Sequence, residues 1–571
     1  MTNQDLPKKS VLDHVLSDVY GFSQFRPRQR EVCVSVWRNT DVLLVMPTGA
    51  GKSLCYQLPT LARQEARTLV ISPLIALIED QCAKLTKLGI SAVRIHSGMS
   101  RFDFQEACEK WSDGVARFLF IAPERLSHGS FLEFLERNKP SLIAVDEAHC
   151  ISMWGHDFRA DYRNLSSRLE RLRPAGIVAL TATATPEVQR DIVSQLRMRK
   201  PDIFIHGFRR DNLSISLRKI LPENRVQALQ AILKDSDKLP CLVYVPTRKL
   251  AELTASQLDG QLRVRAFHAG MPVDERRKIQ DDFMNDELDV VVATSAFGMG
   301  IDKASIRTVV HFAAPGSIES YYQEIGRAAR DGRPGRAILM YSPSDRKTHD
   351  YFLEQNYPPT KMLRKIYDTI GSGAESRLDV EMKLGMSSED ARLGVEKLWV
   401  HGGIQISDEG VLRAGDNSWE TRYKDQRIHK EQLISKAFGF LTSVGCRMTT
   451  LARYFGDVDA AHDCGVCDYC APLEHGNEDR LLQMAQDLDG RRKLLQSLSS
   501  YQSKVTGQLF RERFETQAWS RDKYESLIWD LESDGLLFRT SQSFEKNGRT
   551  LQFHRIGLTE KGRNFITRGA E

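Results

Sequence analysis

The stretch that most constrains this chain is Met46-Pro-Thr-Gly-Ala-Gly-Lys-Ser53. An apolar run, Asp41-Val-Leu-Leu-Val45, precedes it and an apolar helical stretch from Leu54 follows. That is the strand–loop–helix context of a phosphate-binding loop, with the phosphates at a helix N-terminus. Thr48, Gly49, Ala50 and Gly51 supply small backbone units whose N–H groups can turn inward around a phosphate. Lys52 offers a point charge for the outer phosphates and Ser53 a hydroxyl for Mg²⁺. Met46 stands where such loops usually begin with glycine. A nucleoside triphosphate with Mg²⁺ is the implied ligand.

A chain built around such a loop needs a buried parallel sheet, and this one has the material. Its 571 residues are 41% hydrophobic and 27% charged, enough for several globular domains. The N-terminal stretch has no apolar leader core and no run is long enough to span a membrane, so a cytoplasmic protein is expected. The net charge of +5 does not by itself imply nucleic acid. Strand-like runs at Thr68–Ser72, Arg117–Ile121, Leu142–Val145 and Ile177–Leu180 alternate with helical stretches. This alternation predicts a parallel sheet with helices on both faces, and functional residues at the strands' carboxyl ends. Ser72-Pro-Leu, Pro123-Glu-Arg-Leu126, Asp146-Glu-Ala-His149 and Thr181-Ala-Thr183 follow those runs directly.

Asp146 can hold Mg²⁺ through water, and Glu147 can orient and deprotonate an attacking water. Asp146-Glu-Ala-His149 resembles the DEAH box of superfamily-two helicases. Upstream, Phe22, Arg26 and Gln29 lie in Gly21-Phe-Ser-Gln-Phe-Arg-Pro-Arg-Gln29, which resembles the adenine-selecting motif of helicases. There Gln29 would read the adenine edge and Phe22 would stack on the ring. Next comes Cys150-Ile-Ser-Met-Trp-Gly-His-Asp-Phe-Arg159, which sets Trp154, His156, Phe158 and Arg159 in one short loop. Aromatic faces stack on any base and arginine adds cation–π and phosphate contacts. The loop resembles the aromatic-rich loop of RecQ-family DNA helicases. That resemblance implies a coupling of single-stranded DNA binding to ATP hydrolysis.

A second series begins near Gly207, with runs at Cys241–Val245, Val264–Phe267, Val290–Ala293, Thr308–Phe312 and Ala337–Tyr341. The two series resemble tandem RecA-like lobes with ATP in the cleft between them. Tyr244-Val-Pro-Thr-Arg248, Phe267-His-Ala-Gly270, Thr294 to Asp302 (with Gly300) and Tyr321 to Gly332 match helicase motifs in the expected order. Gln323, Arg327 and Arg330 fall in the last of these. The three-residue spacing of the arginines predicts one side of a helix, from which they would reach a γ-phosphate as arginine fingers. Ala329 stands where the family often has glycine. Arg248 is expected to contact DNA.

From about Arg346 three short helices, Lys361–Gly371, Leu378–Gly385 and Ser387–His401, and a hairpin at Gly403–Ala414 predict a winged helix. Glu389, Asp390 and Glu396 on the third helix make it a poor reader of phosphate, so a structural or protein-contacting role is expected. Cys446, then Cys464-Gly-Val-Cys467-Asp-Tyr-Cys470, predict a closed four-cysteine structural Zn²⁺ site. The surroundings resemble the RecQ zinc module, here displaced by the winged helix before it. The C-terminal segment predicts a second winged helix. Its hairpin arms, Phe538–Phe544 and Thr550–Ile556, flank Asn547-Gly548, with Arg539, Lys546, Arg549, Arg555, Lys561 and Arg563 as a basic wing. Phe544, Lys546 and Arg549 are its candidate duplex-contacting residues, with inward packing of Phe544 an equal alternative. No helicase-and-RNase-type domain is expected after it.

The expected architecture is α/β: RecA-like lobes at 1–206 and 207–345, a winged-helix insertion at 346–430, a zinc module at 431–475 and a C-terminal winged helix at 476–571. The resemblance to RecQ implies an ATP-dependent helicase acting 3′ to 5′ on single-stranded DNA in repair or recombination. It implies single-stranded and forked or duplex DNA as partners, with single-stranded-DNA-binding protein as a further one. Two other readings stay open here: an RNA helicase or annealing translocase, and a zinc-containing winged-helix DNA-binding regulator with a nucleotide switch. Glu147, Gln323 and Arg330, all present, speak against a mere switch.

Overall fold

The computed structural model describes residues 11–568, except 97, 156–161, 163–164, 174, 259, 261, 299–302, 408–409, 458–461, 473–474, 476–478, 516–518, 520, 534 and 547–548. The described residues form two compact units. One comprises those of Met1–His206 and Lys347–Leu433, the other those of Gly207–Gly298, Lys303–Arg346 and Ile434–Glu571.

The first unit is built on a seven-stranded sheet. Its strands are β1 (Val42–Val45), β2 (Thr68–Ile71), β3 (Ala92–Ile95), β4 (Phe118–Ile121), β5 (Leu142–Val145), β6 (Gly176–Thr181) and β7 (Asp202–Ile205). They run in the order β3-β4-β2-β5-β6-β1-β7, and all pairs are parallel. Every residue of β1, β2, β4, β5 and β6 is buried. Helices covering both faces require such unbroken apolar strands in place of alternation. Parallel pairing aligns the carboxyl ends: Val45 is level with Thr181, and Val145 with Ile71 and Ala179. The loops after β1, β2, β5 and β6 therefore converge on one edge.

The opposite edge is fixed by a buried charge. Asp41 accepts two hydrogen bonds from the Arg173 guanidinium (2.8 and 2.9 Å) and one each from the backbone N–H of Ile177 (2.9 Å) and Arg199 (2.6 Å). Burial alone would raise this carboxyl, but Arg173 and the two amides outweigh it and hold its pKa below the ordinary carboxylate value. The stabilisation is therefore present above the unfolded value of about 3.9 and is lost as pH falls through it toward the folded pKa. Asp41→Ala strands Arg173 in the interior and is expected to destabilise this unit by about 3–5 kcal/mol at neutral pH. Denaturant melts from pH 7 down to pH 3 should show the gap between parent and variant closing with acid. A constant gap would mean that the loss is one of packing.

The same unit contains the predicted insertion. Helices Thr360–Gly371, Arg377–Leu384 and Ser388–Val400 and the antiparallel pair Ile404–Ile406 with Leu412–Ala414 form it. Its core is Leu363, Ile366, Val380, Leu398, Ile404 and Leu412, closed by Trp419 and Tyr423 from helix Trp419–Thr442. Gly394 lets two helices meet, since a Cβ there would sit 2.2 Å from the Ile366 Cδ1.

The second unit carries a six-stranded parallel sheet of β8 (Leu213–Lys219), β9 (Cys241–Tyr244), β10 (Val264–Phe267), β11 (Val290–Ala293), β12 (Thr308–His311) and β13 (Gly335–Tyr341), ordered β10-β11-β9-β12-β13-β8. Both sheets have the RecA-like arrangement. The C-terminal module of this unit packs helices Asp479–Leu498, Thr506–Arg513 and Arg521–Ser533 against a long hairpin, Leu537–Lys546 with Arg549–Leu558. Among the described residues, no helix is long and apolar enough to cross a membrane.

Candidate active site and metal centre

The loop after β1 is shaped by two glycines in the left-handed region, Gly49 (φ 81°) and Gly51 (φ 88°). Gly51 is doubly constrained, because a Cβ there would lie 2.5 Å from the Gln29 amide nitrogen. That amide donates to the Gly51 carbonyl (3.1 Å), and its oxygen accepts from the Arg26 N–H (3.0 Å). The Arg26 guanidinium donates to the Gly49 carbonyl. Arg26 and Gln29 are thus seated on the phosphate loop, and Phe22 stands half exposed beside this segment. Lys52 Nζ donates to the Met46 carbonyl at 3.0 Å. Thr48 and Ala50 complete the turn, and Ser53 lies at the N-terminus of helix Leu54–Leu61.

Across the edge, Asp146 is anchored by its N–H to the Ile71 carbonyl (2.8 Å) and its Oδ1 accepts from the Glu147 N–H (3.0 Å). Burial and the neighbouring Glu147 push the Asp146 carboxyl up to about 6, against the pull of Lys52. A site that crowds two carboxylates beside a loop hydroxyl has the donor set of a Mg²⁺ site, whose charge would relieve that repulsion. Glu147 has φ 46°, a strained backbone for a side chain with a Cβ. Its carboxylate lies 3.3 Å from His149 Nδ1, which also meets the Thr181 hydroxyl at 2.9 Å. Burial opposes charge on His149, but Cys150 and Glu147 beside it push its pKa upward. The DEAH segment is thereby tied to the end of β6.

Trp154 follows directly, with its N–H on Ser152 Oγ (3.2 Å). His156, Phe158 and Arg159 lie outside the described residues, as do Gly300 and Asp302.

In the second unit, Gln323 sits on helix Ile318–Ile325. Arg327 and Arg330 do not share that helix. The helix ends at Gly326, and Ala329 takes φ 55°, so the two arginines lie on the turn beyond it. Arg327 is buried and donates to the Gly298 carbonyl, while Arg330 Nε reaches the Gly326 carbonyl at 3.2 Å. The positive φ at Ala329 explains why glycine would be at ease there. Arg248 packs against Gly270, its guanidinium 3.1 Å from where a Cβ would be.

The four cysteines converge. Cys446 caps helix Arg447–Tyr454, and its sulfur accepts from the Cys464 N–H at 3.1 Å. Sγ–Sγ distances are 3.9 Å for Cys464–Cys470 and 3.5 Å for Cys467–Cys470, and all four sulfurs lie within 4.8 Å of one another. Tetrahedral zinc with Zn–S bonds of about 2.3 Å needs sulfurs about 3.8 Å apart. The cluster fits zinc, and Cys446, Cys464, Cys467 and Cys470 are its ligand set. Asp468, inside the cluster, is fully buried and pairs with the buried Arg447 (2.7 Å). It also accepts from the Leu217 N–H of β8 (3.0 Å).

Two of the six basic residues of the C-terminal wing are held within its own module. Arg539 pairs with Glu532 (3.2 Å) and lies 3.8 Å from Glu525, and Arg555 donates to Ser503 Oγ (3.1 Å). The turn Asn547-Gly548 and the side chains of Phe544, Lys546 and Arg549 lie outside the described residues.

Residues 26–192 match the DEAD/DEAH box helicase family, 224–332 the helicase conserved C-terminal domain and 409–471 the RecQ zinc-binding family. The chain is 41% identical over 345 residues to the ATP-dependent DNA helicase RecQ of Bacillus subtilis (60% of this chain, 58% of the relative). It is 40% identical over 377 residues to that of Pasteurella multocida (65% and 59%). It is 32% identical over 470 residues to the probable ATP-dependent DNA helicase RecS of Bacillus subtilis (80% and 92%). The chain thus spans under two thirds of the two RecQ relatives and nearly all of RecS.

Proposed function

This chain belongs to the RecQ family of ATP-dependent DNA helicases, and from that premise we propose that it hydrolyses ATP to move 3′ to 5′ along single-stranded DNA and separate duplexes, in repair or recombination. One observation carries the reading. The phosphate loop, the Asp146-Glu147 pair and the first residues of the aromatic loop converge on one edge of one parallel sheet.

In this reading the loop N–H groups and Lys52 hold the triphosphate, and Phe22, Arg26 and Gln29 position the adenine. Ser53 and Asp146 would hold Mg²⁺, which would supply charge neutralisation to the phosphates. Glu147 accepts the proton of the attacking water, and His149 keeps its carboxylate oriented. Gln323, Arg327 and Arg330 stabilise charge developing on the transferred phosphoryl group. Gly300 and Asp302 belong to the same machinery. Trp154, His156, Phe158, Arg159 and Arg248 meet the strand, and single-stranded and forked DNA are the substrates.

The test is unwinding. A 3′-tailed duplex should be separated in the presence of ATP, and a 5′-tailed one should not. ATP turnover should rise with single-stranded DNA and not with RNA. Trp154→Ala should remove that stimulation, since base stacking on an aromatic is worth about 1–3 kcal/mol per base. Unwinding of 5′-tailed substrates alone would reverse the proposed polarity, and stimulation by RNA alone would replace the substrate.

A further inference from the structure

The start of the aromatic loop is gripped from two sides. On one side lies the DEAH segment. Gly155 N–H donates to the Ser152 carbonyl (3.0 Å), and a Cβ at Gly155 would sit 2.4 Å from the His149 carbonyl oxygen, so the loop rests directly on that backbone. Ser152 is itself held by Asp191 (2.6 Å). On the other side lies helix Trp419–Thr442, remote in sequence. His429 Nε2 donates to the Trp154 carbonyl at 2.6 Å, and Lys430 Nζ donates to the Gly155 carbonyl at 3.2 Å. The His429 ring stands edge-on to the Trp154 indole, with centroids 5.4 Å apart and planes at 75°. His429 is only 6% exposed.

That helix is in turn fixed by the inserted module. Three residues before His429, the Gln426 Oε1 accepts from the Tyr357 hydroxyl (3.1 Å) and lies 2.8 Å from His401 Nε2. Tyr423 OH donates to the Pro358 carbonyl. Gln426 and His401 are both buried. The module's third helix is ill suited to phosphate. Its first turn carries Glu389 and Asp390, and its Arg392 is paired with Glu396 at 3.1 Å. A winged helix that turns an acidic helix outward and joins its core to the helix gripping Trp154 is built to position.

We infer that His429 and Lys430 are positioning residues that set the aromatic loop against the DEAH segment, and that the inserted winged-helix module serves as the abutment holding their helix in place. DNA engagement at the loop then reaches Glu147 through a seat that does not give way. The inference rests on the reading that this loop senses single-stranded DNA.

Two readouts test it, one of which needs no DNA. The first is the ratio of DNA-stimulated to DNA-free ATP turnover. The second is amide hydrogen exchange across residues 149–155 in the DNA-free protein. His429→Ala should lower the ratio about tenfold, the scale of one lost buried hydrogen bond, and should raise exchange at 152–155. His429→Gln, which can still donate to the Trp154 carbonyl, should recover most of both, and Lys430→Met should give a smaller loss in the same direction. A His429→Ala protein with parental ratio and protection overturns the inference. So does a His429→Gln protein as damaged as His429→Ala, which would reduce His429 to bulk packing. If the parent shows no stimulation by DNA, the functional reading fails, and the exchange experiment still decides whether His429 seats the loop.

Discussion

Glu147→Gln protein is expected to bind ATP with Mg²⁺ as the parent does and to hydrolyse it about 10²–10⁴-fold more slowly, the usual contribution of a positioned general base. Gln preserves the length of the side chain and can still meet His149, which lies 3.3 Å from the carboxylate. The backbone at φ 46° is also left as it is. The substitution therefore removes proton acceptance and little else. Lys52→Ala should act differently, lowering nucleotide affinity together with turnover, because its ammonium sits at the loop itself, 3.0 Å from the Met46 carbonyl. Equilibrium binding of a fluorescent ATP analogue and steady-state phosphate release separate the two. Parental turnover by purified Glu147→Gln would move the base elsewhere, and equal loss of binding in both variants would make Glu147 a ligand-holding residue.

The sequence made some of this arrangement plain and hid the rest for physical reasons. Strands β1, β2, β4, β5 and β6 are buried throughout, so their apolar runs stood out and the residues following them could be named. β3 and β7 escaped notice because they are edge strands. Arg94 breaks the apolar run of one, and the other offers only the three apolar residues Ile203-Phe204-Ile205 after Asp202, too short to mark a strand. β8 is absent from the predicted runs because Leu213, Ile215 and Leu217 alternate with polar residues, although Ser216 among them is buried. Spacing placed Arg327 and Arg330 on a helix, but it could not register that Ala329 turns left-handed between them. Partners far apart in the chain were hidden altogether. His429 meets Trp154 across 275 residues, and Asp41 meets Arg173 across 132. A polar residue carries no local sign that it will be buried, because the group that compensates it lies elsewhere in the sequence. The cysteines were legible because metal ligation imposes its own spacing.

The zinc site should prove to be a structural strut of the second unit. Purified protein is expected to carry one zinc per chain, and Cys467→Ser should lose it. Structural zinc contributes on the order of 10–16 kcal/mol in small modules, against a total stability of about 5–15 kcal/mol for a typical domain. A module that loses it cannot remain folded on packing alone. The damage should spread by a defined route. Asp468 lies between two ligands, its carboxylate accepts from the Leu217 N–H and pairs with Arg447, and its own N–H donates to the Ile215 carbonyl at 2.9 Å. Freed from the metal-bound turn, Asp468 would leave Arg447 buried without its partner, a further loss of about 3–5 kcal/mol. The edge of β8 would then open. Chelation of the parent should reproduce the same result, with heightened amide exchange in Leu213–Lys219 and at Arg447–Tyr454 before any change in β1 or β5. Asp468→Asn, with zinc still bound, should give the β8 effect at smaller amplitude. Full zinc loss without exchange at β8 would show that the metal holds only its own loop, and well-folded protein free of zinc would remove the site.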